Sequence, residues 1–244
     1  MSGHSHAQNV KSTKEAGAKK RSKNFEKVNR LILVAVKEGG PNPDTNAQLR
    51  AAIDKGRDFN MPKDNIEKTI KRASGDIEKQ KLENFLFEAY GPGKIAIMIE
   101  GITDNRNRAL GEVKKILGKY NGKLVQKGSI NWKFERKGYV DVNLEEQDEK
   151  FKDKETLELM AIEAGADDVN WYEGNLEIYT DPQNTNITRQ SLEKEGIKVK
   201  SIGIEWKPNE EAEVTEKEKE SCLKLFEDLD DCDDVQDIYS NLAE

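Results

Sequence analysis

Eight cations fall between positions 11 and 30: Lys11, Lys14, Lys19, Lys20, Arg21, Lys23, Lys27 and Arg30, with only Glu15 and Glu26 as acids among them. Lysine dominates the set. An ammonium is a compact point charge that meets a phosphate oxygen without a fixed geometry, whereas bidentate reading of a guanine edge favours arginine. The chemistry on offer is therefore neutralisation of a nucleic-acid backbone, with counterion release making affinity fall steeply as salt rises. The competing reading is a solvated helix face that carries charge for solubility alone.

Through residue 37, nine basic side chains stand against two acids, a surplus of seven, although the 244-residue chain has a net charge of -7. The far end supplies the opposite sign: residues 210–244 hold fourteen acids against Lys217, Lys219 and Lys224, a deficit of eleven. Segregation of this kind suits a protein whose one end meets a polyanion while the rest keeps it soluble. The acidic end admits a second role, as a mimic of nucleic acid that shields the basic module.

Other chemistries find less support. The chain has only two histidines, His4 and His6, and no serine or cysteine beside an orienting base, so no triad is visible. Cys222 and Cys232 alone build neither a disulfide framework nor a four-ligand zinc site. Gly91-Pro92-Gly93 is short, lacks a following Lys-Ser/Thr, and joins two strands, which makes it a hairpin turn and not a phosphate cradle. No catalytic group, metal or cofactor is expected. No apolar run approaches the roughly 20 residues of a bilayer span, so no membrane partner is expected either. The cysteine usage and the absence of an apolar leader point to the cytoplasm. Arg106 and Arg108 open a helix, where cations oppose the macrodipole and Asp104 offsets them. Trp132, Trp171 and Trp206 stand at alternating apolar positions, which favours packing in the core over stacking on nucleic-acid bases.

The elements that position the basic cluster are helices. Phe25, Val28, Leu31, Ile32 and Ala35 share one face of a helix that Gly39-Gly40 stops. Leu49, Ala52, Ile53 and Gly56 line the next, with Pro43 in its first turn, and Ile66, Ile70 and Ala73 a third, from Pro62 to Gly75. A further frayed helix is expected over 9–20. Near Leu82 the apolar period changes from 3.6 to 2. Strands over 85–90 and 94–103 make a hairpin; a helix capped by Asp104 follows, with Leu110, Val113, Ile116, Leu117 and Tyr120 on its apolar face; then comes a strand through Ile130, Trp132 and Phe134. Residues 138–207 read as β-α-β-β-α-β. A helix opened by the capping box of Thr215 and Glu218 and a strand near 235–239 complete the chain. These last two elements cannot form a domain alone, so they are expected to rejoin the sheet begun at Phe85. The fold class is α plus α/β multidomain: a basic helix bundle (1–80), then two ferredoxin-like α/β domains, the last (138–207) inserted in the middle one (81–137 with 208–244).

Several segments resemble the YebC/PmpR family of probable transcriptional regulatory proteins. They are Gly3-His4-Ser5, Val36-Lys37-Glu38-Gly39-Gly40-Pro41-Asn42-Pro43, Asn60-Met61-Pro62-Lys63, Tyr90-Gly91-Pro92-Gly93, Asp104-Asn105-Arg106-Asn107-Arg108, Ala161-Ile162-Glu163-Ala164-Gly165-Ala166-Asp167-Asp168, and Leu229-Asp230-Asp231 near Asp234-Val235-Gln236. The resemblance runs essentially end to end. It implies a helical N-terminal domain followed by two α/β domains, and DNA binding with transcriptional control. Other relatives imply translation, as a mitochondrial activator or as ribosome-associated proteins that aid elongation through proline-rich sequence. The implied partner is thus DNA or, alternatively, ribosomal RNA; no oligomeric state follows. The chain departs from the family pattern at His6-Ala7, where Lys-Trp is usual, and at Ser12-Thr13, where His-Arg is usual.

Overall fold

The computed structural model describes residues 18–75, 82–172 and 174–243. They build an N-terminal helical region followed by two α/β parts, each with a four-stranded sheet. Two compact units result, one within Ser5–Lys133 and Glu210–Ala243, the other Phe134–Asn209. No helix among the described residues is long and apolar enough to cross a membrane.

The helical region comprises α1 (Ala18–Gly39), α2 (Ala47–Asp58) and α3 (Lys63–Gly75). Val28, Ile32, Ala35 and Val36 of α1 pack with Leu49, Ala52 and Ile53 of α2 and with Ile66 and Ala73 of α3. The buried Asn46 joins the first two helices: its Oδ1 accepts from Leu49 N at 3.0 Å, and its Nδ2 donates to Ala35 O and Gly40 O at 2.7 and 2.8 Å. Because Asn46 caps α2, the helix starts at Ala47, and Pro43 lies in the preceding turn instead of the first helical turn. Of the helix expected over 9–20, residues 9–17 lie outside the described residues, and residues 18–20 already belong to α1.

The first sheet holds β1 (Glu83–Tyr90), β2 (Ala96–Thr103) and β3 (Lys123–Val125), with α4 (Arg106–Lys119) between β2 and β3. After the second unit the chain returns through α7 (Glu216–Asp230) to β8 (Val235–Ser240), which pairs with β2, giving the order β3-β1-β2-β8. Phe85, Phe87, Ala89, Ile97 and Ile99 make one core with Val113 and Leu117 of α4 and Leu225, Phe226 and Leu229 of α7. The capping box of Thr215 and Glu218 opens α7 as expected. Three expectations need correction. Asn105 caps α4, its Oδ1 accepting from Arg108 N at 3.1 Å, while Asp104 pairs with the Arg108 side chain. Leu110 is 40% exposed, because Ala109 holds the inward position one residue earlier. No strand runs through Ile130, Trp132 and Phe134; Asn131–Lys133 form a 3-10 turn, and the next strand begins at Phe134.

The second unit contains β4 (Phe134–Asn143), α5 (Lys154–Glu163), β5 (Asp168–Tyr172), β6 (Asn175–Thr180), α6 (Thr185–Lys194) and β7 (Ser201–Pro208), in the sheet order β5-β6-β4-β7. Val140, Val142, Leu176 and Ile178 pack against Leu157, Ala161 and Leu192. Ile187 of α6 and Ile204 of β7 are exposed.

Within the first unit, one carboxylate ties the helical region to the sheet. At Gly101 the β2–β8 register slips, and Ile102 N donates to Asp234 O at 2.9 Å. The bulge delivers the Asp234 side chain, only 2% exposed, to a cluster of donors. Arg30 of α1 hydrogen-bonds Asp234 Oδ1. Arg108 of α4 reaches Oδ1 and Oδ2 at 3.2 and 3.0 Å, and Thr103 Oγ1 donates to Oδ2 at 3.0 Å. Burial opposes ionisation of Asp234, but the hydrogen bonds from Arg30, Arg108 and Thr103 prevail and hold its pKa below the usual carboxylate range. Arg30 also donates to Ile102 O and Asp233 O, at 3.1 and 3.0 Å.

Replacing Asp234 by Asn leaves two guanidinium groups facing a neutral amide and should lower stability at pH 7 by on the order of 3 kcal/mol. A depressed carboxylate pKa stabilises the fold above its unfolded value, near 4, and that contribution is lost as pH falls through the folded value. Urea unfolding should therefore show a gap between wild type and Asp234→Asn that narrows on acidification; a gap constant with pH would contradict this assignment. Gly101→Ala should also destabilise, by about 1–3 kcal/mol, since a Cβ there would overlap the Asp234 carbonyl oxygen and the Phe85 ring. Its urea midpoint tests that directly.

Candidate nucleic-acid interface

Helix α1 has two working faces. Val28, Ile32, Ala35 and Val36 face the bundle, while Lys23, Lys27 and Arg30, spaced four and three apart, form a stripe that meets the end of α7 and the start of β8. Lys27 is only 6% exposed; its Nζ donates to Asp230 Oδ1 at 2.8 Å and to Asp230 O at 2.6 Å. Lys23 Nζ reaches Asp231 Oδ1 at 3.1 Å and Asp231 O at 2.9 Å. On α2, Lys55 Nζ contacts both oxygens of Asp237, at 2.8 and 2.9 Å.

The physical cause is the charge at the C-terminus of α7. Glu227, Asp228, Asp230 and the C-cap Asp231 crowd the end where the macrodipole is already negative and the last carbonyls lack helical partners, and no basic residue occupies the last turn. Lys23 and Lys27 supply, from another helix, the cations this end requires. The two charge poles of the sequence thus meet inside one unit.

The eight cations of the N-terminal cluster therefore divide. Lys23, Lys27 and Arg30 pair with Asp231, Asp230 and Asp234. Lys11 and Lys14 lie outside the described residues, and Lys19 and Lys20 belong to the first turn of α1. Arg21 is exposed and has no ion-pair partner among the described residues. A second group joins it from α3. Lys68, Lys71 and Arg72, at i, i+3 and i+4, are exposed opposite Ile66, Thr69 and Ala73 and pair with no acid among the described residues. These three lie outside the dense cluster of residues 11–30, and their only mark in the sequence is helical spacing on the polar face of α3.

Arg108 is engaged by Asp104 at 2.7 Å as well as by Asp234, and both hold its charge in place. Arg106 lies over the Phe87 ring, 5.5 Å from its centroid. Trp171 and Trp206 are half-buried on strands of the second sheet. Trp132 departs from the expected core position: it is 67% exposed, in a turn that the alternation of Ile130, Trp132 and Phe134 disguised as a strand. Cys222 and Cys232 are free and buried, and burial pushes both thiols up to about 11, far from the thiolate form that reacts.

Comparison with known proteins agrees with this architecture along nearly the whole chain. The TACO1/YebC protein N-terminal domain matches residues 5–76, and the TACO1/YebC second and third domain matches residues 82–242. A protein of Halothermothrix orenii named "Probable transcriptional regulatory protein" is 44% identical over 242 residues, covering 99% of this chain and 94% of the relative. One of the same name from Thermotoga maritima is 41% identical over 241 residues, with 99% and 93% coverage. The crystal structure of a conserved hypothetical protein from Aquifex aeolicus superposes with a TM-score of 0.83 at 38% identity, covering 94% of this chain and 93% of that one. With both domain descriptions matched in order and relatives above 40% identity end to end, the chain belongs to the TACO1/YebC family.

Proposed function

We propose that the protein binds nucleic acid through phosphate contacts made by its N-terminal helical module, and acts as a DNA-binding transcriptional regulator. The observation that carries this reading is the division of cations. Lys23, Lys27 and Arg30 hold the module against the acidic segment, while Arg21, Lys68, Lys71 and Arg72 stay exposed without acids opposite them among the described residues. With Lys11, Lys14, Lys19 and Lys20, these form the phosphate-contacting set. The name carried by the relatives supports the regulatory role. The accompanying reading of the fold is ferredoxin-like for both α/β parts, with 138–207 inserted between 81–137 and 208–244; the β5-β6-β4-β7 order supports it for the second part, and the pairing of β8 with β2 supports the insertion.

A ribosome-associated translation factor is the second reading, and one observation favours it: Trp132 is an exposed aromatic in a lysine-rich loop, a feature a stacked duplex has no use for. Both readings share the phosphate contacts. Migration with ribosomes on a sucrose gradient, lost on raising salt or adding RNase, would select the second.

Fluorescence anisotropy with a short DNA duplex tests the interface itself. Between about 50 and 200 mM salt, affinity should drop by orders of magnitude if six or more phosphates are contacted. The triple variant Lys68→Glu, Lys71→Glu, Arg72→Glu should weaken binding at least about tenfold and flatten the salt slope by up to about 0.9 per lost contact. Lys27→Ala should instead lower the unfolding midpoint and leave the slope unchanged. Salt-independent binding, or a triple variant with wild-type affinity, would overturn this assignment.

A further inference from the structure

The loop between β3 and β4 presents an aromatic ring to solvent on a framework that is otherwise tightly fixed. Ser129 N donates to Gln126 O at 3.1 Å, and Gly128 turns the chain with φ +89, a conformation that favours glycine. Beneath the loop lies Glu88 of β1, 3% exposed, whose carboxylate accepts from Gly128 N and, at 2.8 Å, from Ile130 N. A buried carboxylate is tolerated only when hydrogen bonds replace its water, and here the loop backbone supplies them. The Ile130 side chain is fully buried, and Lys133 N donates to Ile130 O at 2.9 Å, closing the turn.

The ring that this framework carries is Trp132. Its Nε1 donates to Ser129 O at 3.1 Å, which fixes the indole against its own loop, yet the residue remains 67% exposed. Folding alone gives no reason for this, since an indole contributes far more when its large apolar surface leaves water. The loop's own charges are all basic: Lys123, Lys127 and Lys133 occur between positions 123 and 133 with no acid among them, and the Glu88 carboxylate beneath is buried and taken up by the loop backbone. Lys133 Nζ lies over the Trp132 ring, 4.7 Å from its centre, a cation–π contact that takes up one face of the indole and sets positive charge at the ring.

We propose that Trp132 is a stacking platform for an unpaired RNA base, with Lys123, Lys127 and Lys133 meeting the flanking phosphates. An aromatic face paired with local positive charge is the arrangement that single-stranded nucleic acid uses. In a duplex both faces of each base are already stacked, so the ring has nothing to receive, whereas RNA loops and ends expose bases. This site rests on the reading that the protein binds nucleic acid, but it is separate from the helical module and adds single-strand recognition to it.

Anisotropy with a labelled, unstructured RNA of about 12 nucleotides, run beside a DNA duplex of similar length, separates the possibilities. Trp132→Ala should weaken RNA binding by about 5- to 150-fold, the equivalent of one lost base stack, and leave the salt slope and the duplex affinity unchanged. Trp132→Phe should keep most of the RNA affinity, and circular dichroism should show both variants folded. If Trp132→Ala binds the RNA within about twofold of wild type, or loses RNA and duplex equally, the stacking site is wrong while the helical interface stands. If the wild type binds neither probe at about 50 mM salt, the nucleic-acid reading itself falls, and this site with it.

Discussion

Asp234, with almost no access to water, receives guanidinium groups from two distant stretches of chain, Arg30 of α1 and Arg108 of α4, and the placement of the helical region depends on that meeting. A buried ion pair of this kind adds modest net stability over apolar packing, but a missing partner leaves a charge with no water and no counterion. The bulge at Gly101 brings the carboxylate there, Thr103 satisfies one of its oxygens, and Lys27 and Lys23 extend the junction along the end of α7. Sheet, bulge and helix end are thus arranged around one exchange of charge.

That exchange changes what the charge pattern means. A chain with a basic start and an acidic end invites the picture of a molecule with two separated poles. In the folded first unit the poles are adjacent, and the acids that seem to repel a polyanion are in part already neutralised by α1 and α2. Asp230, Asp231 and Asp234 pair with the Lys23, Lys27 and Arg30 stripe of α1, and that pairing holds the module in place. Arg21 on α1 and Lys68, Lys71 and Arg72 on α3 stay exposed with no acid opposite them among the described residues, which is why the proposed phosphate contacts are assigned to them.

Much of the fold was legible because periodicity and capping report local structure. The helix ends at Gly39 and Gly75, the Thr215–Glu218 box and the return of the last strand to the first sheet followed from residue types and spacing. Misreadings arose where a tertiary partner decided the outcome. Asn46 and Asn105 became caps because their amide side chains reached backbone that Pro43 and Asp104 did not. Trp132 looked like a strand residue, but the hold of Glu88 on Gly128 and Ile130 makes the segment a turn and points the indole outward. The roles of Lys23, Lys27 and Arg30 were hidden for the same reason, since their partners lie about 200 residues away in the chain. Four acids at or beside the C-terminus of α7, the wrong end for their charge, were the trace of those partners in the sequence.

Lysine acetylation footprinting read by mass spectrometry, with and without bound oligonucleotide, tests the division of cations most directly. Lys27 should react slowly in the free protein and be little changed by ligand, while Lys68 and Lys71 should react quickly when free and become protected on binding. Equal reactivity of Lys27 and Lys68 in the free protein, or undiminished reactivity of Lys68 and Lys71 in the complex, would contradict the account.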